Sequence, residues 1–270
     1  MSTLGLRLVP DELWEIVEPL VPQYPARRQG GGTAPADDRA VFTAIVYVLT
    51  SGCAWRNLPT EFGASPATVH RRFVFWTKQG LWQAFHQAVL DELGSRAEVD
   101  WSSAIVDAAV VRAKKGKLTG PNPVDRGKKG SKLHLVCDTA GLPLAMLVTG
   151  ANVHDTHGFK PLIEAIPQVR SRRGPRRRRP TKVRADKAYE AAELRRWLRR
   201  WGMASRIARK SVESKDRLGR HRWKIERTIS WLLGYRRLAV RYERHGRLFT
   251  AFLTLAAALI CYKKLSRIAT

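Results

Sequence analysis

The stretch Ser103-Ala104-Ile105-Val106-Asp107-Ala108-Ala109-Val110-Val111 decides how this chain is read. Its Val, Ile and Ala content predicts a strand, with Ile105, Asp107 and Ala109 on one face and Val106, Ala108 and Val110 on the other. A carboxylate in so apolar a strand is costly to bury unless it is paired or binds a cation. Residues 133–138 and 144–149 predict two more strands, and Thr139-Ala140-Gly141-Leu142-Pro143 between them predicts a hairpin. A helix over 155–166, a strand over 182–186, a helix over 189–201 and a short strand over 204–208 follow, and helices over 220–235 and 247–265 close the chain. Three strands, a helix, then strand–helix–strand–helix is a mixed α/β order, an antiparallel meander continued by parallel crossover strands.

Upstream, the pattern is helical. Pro10-Asp11-Glu12 opens a helix carried by Leu13, Trp14, Ile16, Val17 and Leu20, and a Gly-rich loop is expected over 27–35. Asp37-Asp38 opens a second helix that Gly52 closes, and Ser65 with Pro66 starts a third, basic one. Two helices, a turn and a basic helix fit a helix-turn-helix unit, in which Thr68, His70, Arg71 and Arg72 are the candidates to meet DNA. A further amphipathic helix covers 81–93, so the expected division is a helical domain over 1–97 and an α/β domain over 98–270.

Lys and Arg total 49 against 23 acidic residues, a formal charge of +26, which favours contact with phosphate because each neutralised phosphate releases counterions. A hydrophobic fraction of 44% supplies a core, which a basic packing peptide lacks. Lys128, Lys129 and Lys132 form a candidate backbone-binding loop, and the arginine-rich run over 170–180 reads as an exposed loop that tracks DNA without reading bases. Cys53, Cys137 and Cys261 are far apart and form no metal or disulfide framework, which fits reduced thiols in a cytoplasm. No membrane partner is expected, since the apolar run over 248–262 is short and reads as a buried helix.

Two further carboxylates stand out. Asp186 falls at the end of its strand, where α/β sheets expose functional groups. Glu226 lies at the edge of the apolar stripe Ile225, Ile229, Leu232 and Leu233, one turn from Arg222. Three carboxylates brought together need a cation, and Mg²⁺ or Mn²⁺ suits an all-oxygen shell. Taken singly, each has a structural alternative: Asp107 as a strand-end residue, Asp186 as a helix cap, Glu226 as a surface partner of Arg222.

The run Gly52-Cys53-Ala54-Trp55-Arg56-Asn57-Leu58-Pro59, then Gly127-Lys128-Lys129-Gly130-Ser131-Lys132 with His134, Ala151-Asn152-Val153-His154-Asp155, Ala185-Asp186-Lys187-Ala188-Tyr189 and Arg222-Trp223-Lys224-Ile225-Glu226-Arg227 extend over nearly the whole chain. Together they resemble bacterial insertion-sequence transposases with a DDE site, of the insertion-sequence-five kind. The resemblance implies a ribonuclease-H-like five-stranded mixed sheet with flanking helices, and Asp107, Asp186 and Glu226 as a catalytic triad holding two Mg²⁺ or Mn²⁺ ions. It implies binding of the element's terminal inverted repeats and of target DNA, cleavage at the ends and joining of 3′-hydroxyls by in-line transesterification. It further implies a homo-oligomer, a dimer on paired ends, working on the bacterial nucleoid. The family signature has a tyrosine three residues before the arginine and a lysine seven after the glutamate; Gly219 and Leu233 stand there in this chain. Arg222, Lys224, Arg227, Arg236 and Arg237 are the basic residues left to meet DNA around Glu226.

Overall fold

The computed structural model describes residues 3–24, 36–209 and 215–269; the loop expected over 27–35 lies outside the described residues. The chain begins with α1 (Thr3–Leu8), which the apolar periodicity did not single out, and α2 (Asp11–Val17). Helix α3 (Asp38–Ser51) is capped by the Asp37 carboxylate, which accepts from the Ala40 amide, and stopped by Gly52 at φ 73°. Helix α4 (Pro66–Gln79) starts at Ser65, whose hydroxyl accepts from the Thr68 amide, and α5 (Leu81–Ser95) follows directly. Between α3 and α4 the chain makes two 3₁₀ turns, Trp55–Asn57 and Thr60–Phe62, in place of one tight turn. Pro59 and the left-handed Gly63 punctuate this connection.

The strands are β1 (Ala104–Ala113), β2 (Gly120–Pro121), β3 (Lys129–Asp138), β4 (Pro143–Gly150), β5 (Lys182–Ala185), β6 (Ala204–Ile207) and β7 (Val240–Arg241). The helices among and after them are α6 (Asp155–Glu164), α7 (Ala192–Arg200), α8 (Lys215–Leu233), α9 (Arg236–Ala239) and α10 (Gly246–Ala269). The five main strands run β4-β3-β1-β5-β6, antiparallel from β4 to β1 and parallel from β1 to β6. This is the ribonuclease-H-like mixed sheet that the motifs led one to expect. The two-residue strands β2 and β7 pair with β3 and with the far end of β1, and are too short to show any period. Strand β3 begins at Lys129, earlier than the expected residue 133, because Ser131 and Lys132 pair with both β1 and β4, and Gly130 with β1 and β2.

One apolar core joins the helices of the first part to the sheet. Helix α10 carries most of that junction, packing on α5, α4, α8 and β4, with Phe252 stacked on Phe73 at 4.3 Å. It is long and apolar enough to cross a membrane, yet 83% of its most apolar window is buried inside the protein, so it serves as the core helix its sequence foretold. His86 of α5 ties the two parts by donating from Nε2 to the Pro143 carbonyl at 2.9 Å.

Candidate active site

Parallel pairing of β1 with β5 sets Val106 beside Ala185, so Asp107, within β1, and Asp186, just past the end of β5, follow side by side. Each carboxylate uses Oδ1 locally: Asp107 accepts from the Ala108 amide at 2.8 Å and Asp186 from the Ala188 amide at 2.9 Å. Each leaves Oδ2 turned to Arg222, at 3.6 Å from Nε for Asp107 and 3.8 Å from Nη1 for Asp186. Glu226, one turn on along α8, reaches Arg222 Nε through Oε1 at 3.0 Å. One guanidinium therefore touches three carboxylates drawn from a mid-strand position, a strand end and a helix. Burial, with Asp186 and Glu226 adding to it, pushes the Asp107 carboxyl up to about 6 against the pull of Arg222.

Helix α8 is aimed at this point by the hairpin between β3 and β4. Thr228 donates its hydroxyl to the Gly141 carbonyl at 2.8 Å, and Arg227 donates to the Ala140 carbonyl at 2.8 Å. Gly141 sits at φ 88°, and a side chain there would press on Thr228 Oγ1. Asp138 secures the same turn, accepting from the amides of Ala140 and Leu142, both at 2.8 Å, and from that of Asp100 at 3.0 Å.

Asp107 and Asp186 open onto a cleft of about 250 Å³ that Ile105, Arg184, Arg206, His221, Arg222 and Ile225 also line. Arg184 and Arg206 were not among the residues singled out from the sequence. Alternation along Arg184-Ala185-Asp186 was the available signal, since it puts Arg184 on the face of Asp186. Among the described residues no three His, Cys, Asp or Glu side chains are gathered tightly enough to enclose an ion as they stand; the carboxylates surround Arg222 instead. The donor set still fits a hard divalent cation: three carboxylates share one point of positive charge, and the Oδ2 oxygens of both aspartates carry no amide hydrogen bond.

The basic residues expected to meet DNA divide. Lys128 is exposed near Asp125, Lys129 and Arg236 are exposed, and Lys224 is half-buried beside Trp223. On α4, Arg71 is exposed and Thr68 half-buried, while His70 packs edge-on against Trp55. Three residues are corrected. Arg72 is buried, paired with Asp38 at 2.9 Å and stacked over Tyr24, because its position points into the helical core beside Phe73 and Trp76. Arg237 is buried in a pair with Glu243 at 2.7 Å and donates to the Cys53 carbonyl, so it clamps the C-terminal segment to the first part of the chain. Lys132 turns its ammonium inward to Asp155 and to the Val153 carbonyl, both at 2.7 Å. Arg227 is held between Trp223 and Trp231, whose ring centres lie 4.8 and 4.7 Å away. The Asn152-Val153-His154-Asp155 run starts α6, with His154 as its cap.

The pattern agrees with comparison against known proteins: residues 102–261 match the family model described as "Transposase DDE domain", and residues 9–86 match one described as "Putative transposase of IS4/5 family". The chain belongs to the DDE transposase family. It is 47% identical over 149 residues to a "Putative transposase for insertion sequence element IS402" from Burkholderia cepacia, a match covering 55% of this chain and 71% of the relative. A second match, 39% identical over 108 residues, is to the "Insertion element IS402 uncharacterized 16.2 kDa protein" of the same organism, covering 39% of this chain and 74% of that one. Among solved structures, a piggyBac transposase synaptic complex with hairpin DNA overlaps at a TM-score of 0.39 and 11% identity, covering 78% of this chain and 51% of that one.

Proposed function

We propose that this transposase binds the terminal inverted repeats of its own insertion sequence, hydrolyses phosphodiesters at the ends, and joins the resulting 3′-hydroxyls to target DNA. The carrying observation is the meeting of Asp107, Asp186 and Glu226 around Arg222 in the cleft of a strongly basic chain. These three carboxylates would hold Mg²⁺ or Mn²⁺. Two such ions, when bound, supply activation of the attacking water or 3′-hydroxyl and charge neutralisation at the leaving 3′-oxygen.

The protein's own groups set the stage for that chemistry. The amides of Ala108 and Ala188 fix one oxygen of each aspartate and so fix the direction of the other. Thr228 and Arg227 dock α8 on the hairpin and thereby set where Glu226 stands. Arg222 balances the carboxylates, and with cations bound its side chain, 47% exposed, would be free to turn toward a phosphate. Lys128, Lys129, Arg236 and Arg71 of α4 lie open to the DNA backbone, with Thr68 half-buried one turn before Arg71. A dimer on paired ends, acting on the nucleoid of a bacterial cytoplasm, completes this reading.

The test is direct. Purified protein is incubated with Mg²⁺ and a duplex carrying the inverted repeats that flank its gene, and the cut sites are mapped on a sequencing gel. Nicks at the repeat ends, absent with a chelator, are the expected result. Specific binding with no cut under any divalent ion would replace the enzyme with a DNA-binding regulator.

A further inference from the structure

The cleft contains a feature that the carboxylates do not explain. Strands β5 and β6 run parallel with Arg184 directly beside Arg206. Like charges opposite each other on neighbouring strands are unfavourable, and proteins ordinarily separate or neutralise them. Here neither happens. Arg184 is half-buried and donates from Nε only to the neutral Ser103 hydroxyl at 3.1 Å. Arg206 is exposed, and among the described residues it makes no ion pair. The two side chains share a face of the sheet with Ile105, Asp107 and Asp186, since Ile105 pairs with Arg184 and alternation carries that face to Asp186. Both line the same cleft as Asp107 and Asp186.

We propose that Arg184 and Arg206 form a phosphate-binding subsite in the floor of the cleft, which takes a backbone phosphate of the DNA strand being cut. The proposal rests on the transposase reading for the identity of the ligand and on the arginine pair alone for its chemistry. Two guanidinium groups side by side offer several N–H donors to one tetrahedral anion, and their mutual repulsion is relieved when the anion binds. From Arg184 to Asp186 is two residues of strand, roughly 6.6 Å, a step comparable to the separation of successive phosphates along one DNA strand. A phosphate held by the arginines would therefore set its neighbour beside the carboxylates. Arg184 and Arg206 are positioning residues in this scheme: they fix the register of the strand and do not touch the bond that breaks.

Two measurements test it. The first uses inorganic phosphate against chloride at constant ionic strength, read as the thermal unfolding midpoint of the full chain without divalent ions. Wild type is expected to be stabilised by phosphate, whereas Arg206→Ala and the double variant Arg184→Ala/Arg206→Ala lose that response. Without phosphate, Arg206→Ala is expected to unfold at the same or a higher temperature, because a repulsion has been removed; a pair with a merely structural role would instead lose stability. The second uses a duplex carrying the repeat ends. The double variant should show KM raised about tenfold with kcat little changed, and a slope of log K against log salt shallower by about 1, since one phosphate contact is lost. Arg206→Lys, which keeps the charge, should recover most of that slope. An unchanged phosphate response in the double variant overturns the proposal. So does a loss confined to kcat. If wild type cuts no DNA but its phosphate response depends on the two arginines, the subsite stands and the transposase reading falls.

Discussion

Asp107 and Asp138 lie on adjacent antiparallel strands, and burial pushes both carboxyls up to about 6. Their surroundings differ in one respect. Asp138 is fully enclosed and accepts three backbone amides, those of Asp100, Ala140 and Leu142, so its oxygens are used up in shaping a turn. Asp107 accepts one amide, and its remaining oxygen meets only a half-exposed arginine at 3.6 Å in an open cleft. Burial and a raised pKa are thus shared by a carboxylate enclosed in the fold and one that faces a cleft. What separates them is whether the hydrogen-bonding capacity is spent within the fold or left facing a space that a ligand can enter.

This contrast can be broken experimentally, beginning with the largest effect. Asp107→Ala, Asp186→Ala and Glu226→Ala should each reduce nicking of repeat-end DNA by at least about a thousandfold, as measured by single-turnover cleavage, while DNA binding persists. The unfolding midpoint of Asp107→Ala should not fall. A group whose folded pKa lies above its ordinary value disfavours the fold where it is ionised, so at pH 7 its removal relieves a cost. Full cleavage by any of the three variants would remove that residue from the triad.

Asp138→Ala should do the reverse. Three buried amides lose their acceptor, costing about 3 kcal/mol and lowering the midpoint by roughly 5–10 °C in a calorimetric scan. Stability equal to wild type would mean that the turn does not depend on this carboxylate.

Mg²⁺ binding sharpens the comparison further. At a hundred times its Kd the ion should stabilise wild type by about 2.7 kcal/mol, and it should stabilise Asp138→Ala similarly, because the site survives in the folded fraction. Asp107→Ala should show little response. Equal responses from both variants would place the ion elsewhere.

The smallest effect concerns His86, whose hydrogen bond to Pro143 meets the start of β4 just beyond the Asp138 turn. Burial lowers its pKa to about 4. An imidazole neutral in the fold but protonated in the unfolded chain contributes stability that is complete above its ordinary pKa of 6.5 and is lost as pH falls toward 4. His86→Gln keeps an N–H for the Pro143 carbonyl and does not titrate. The wild-type minus variant difference in unfolding free energy should therefore shrink by about 1 kcal/mol between pH 7 and pH 5.5. The opposing trends of Asp107 and Asp138 cancel in that difference. A flat difference would show that His86 takes up its proton in the fold as readily as in the unfolded chain.

Much of this was legible in the residues. The alternation around Asp107 placed it within β1, Ser65-Pro66 placed the start of α4, and the 3.6-residue period of α8 set Glu226 at the edge of its apolar stripe. These are local signals, fixed by backbone geometry and by which face of an element turns to the core. The two-residue strands β2 and β7 escaped because they are made only by pairing with distant partners. The arginines show the same limit. On sequence alone Arg72, Arg236 and Arg237 look alike, yet Asp38 and Glu243 bury two of them in ion pairs and leave Arg236 exposed.

The sequence by itself determined the main helices and strands and the family, and it singled out three carboxylates as candidates, because period, caps and motif residues are written in neighbouring positions. Only the tertiary structure decided that β1, β5 and α8 bring those carboxylates to a single guanidinium, and that Arg184 stands beside Arg206. Such convergence depends on strand order and helix docking, which relate residues far apart in the chain through packing and burial rather than through spacing.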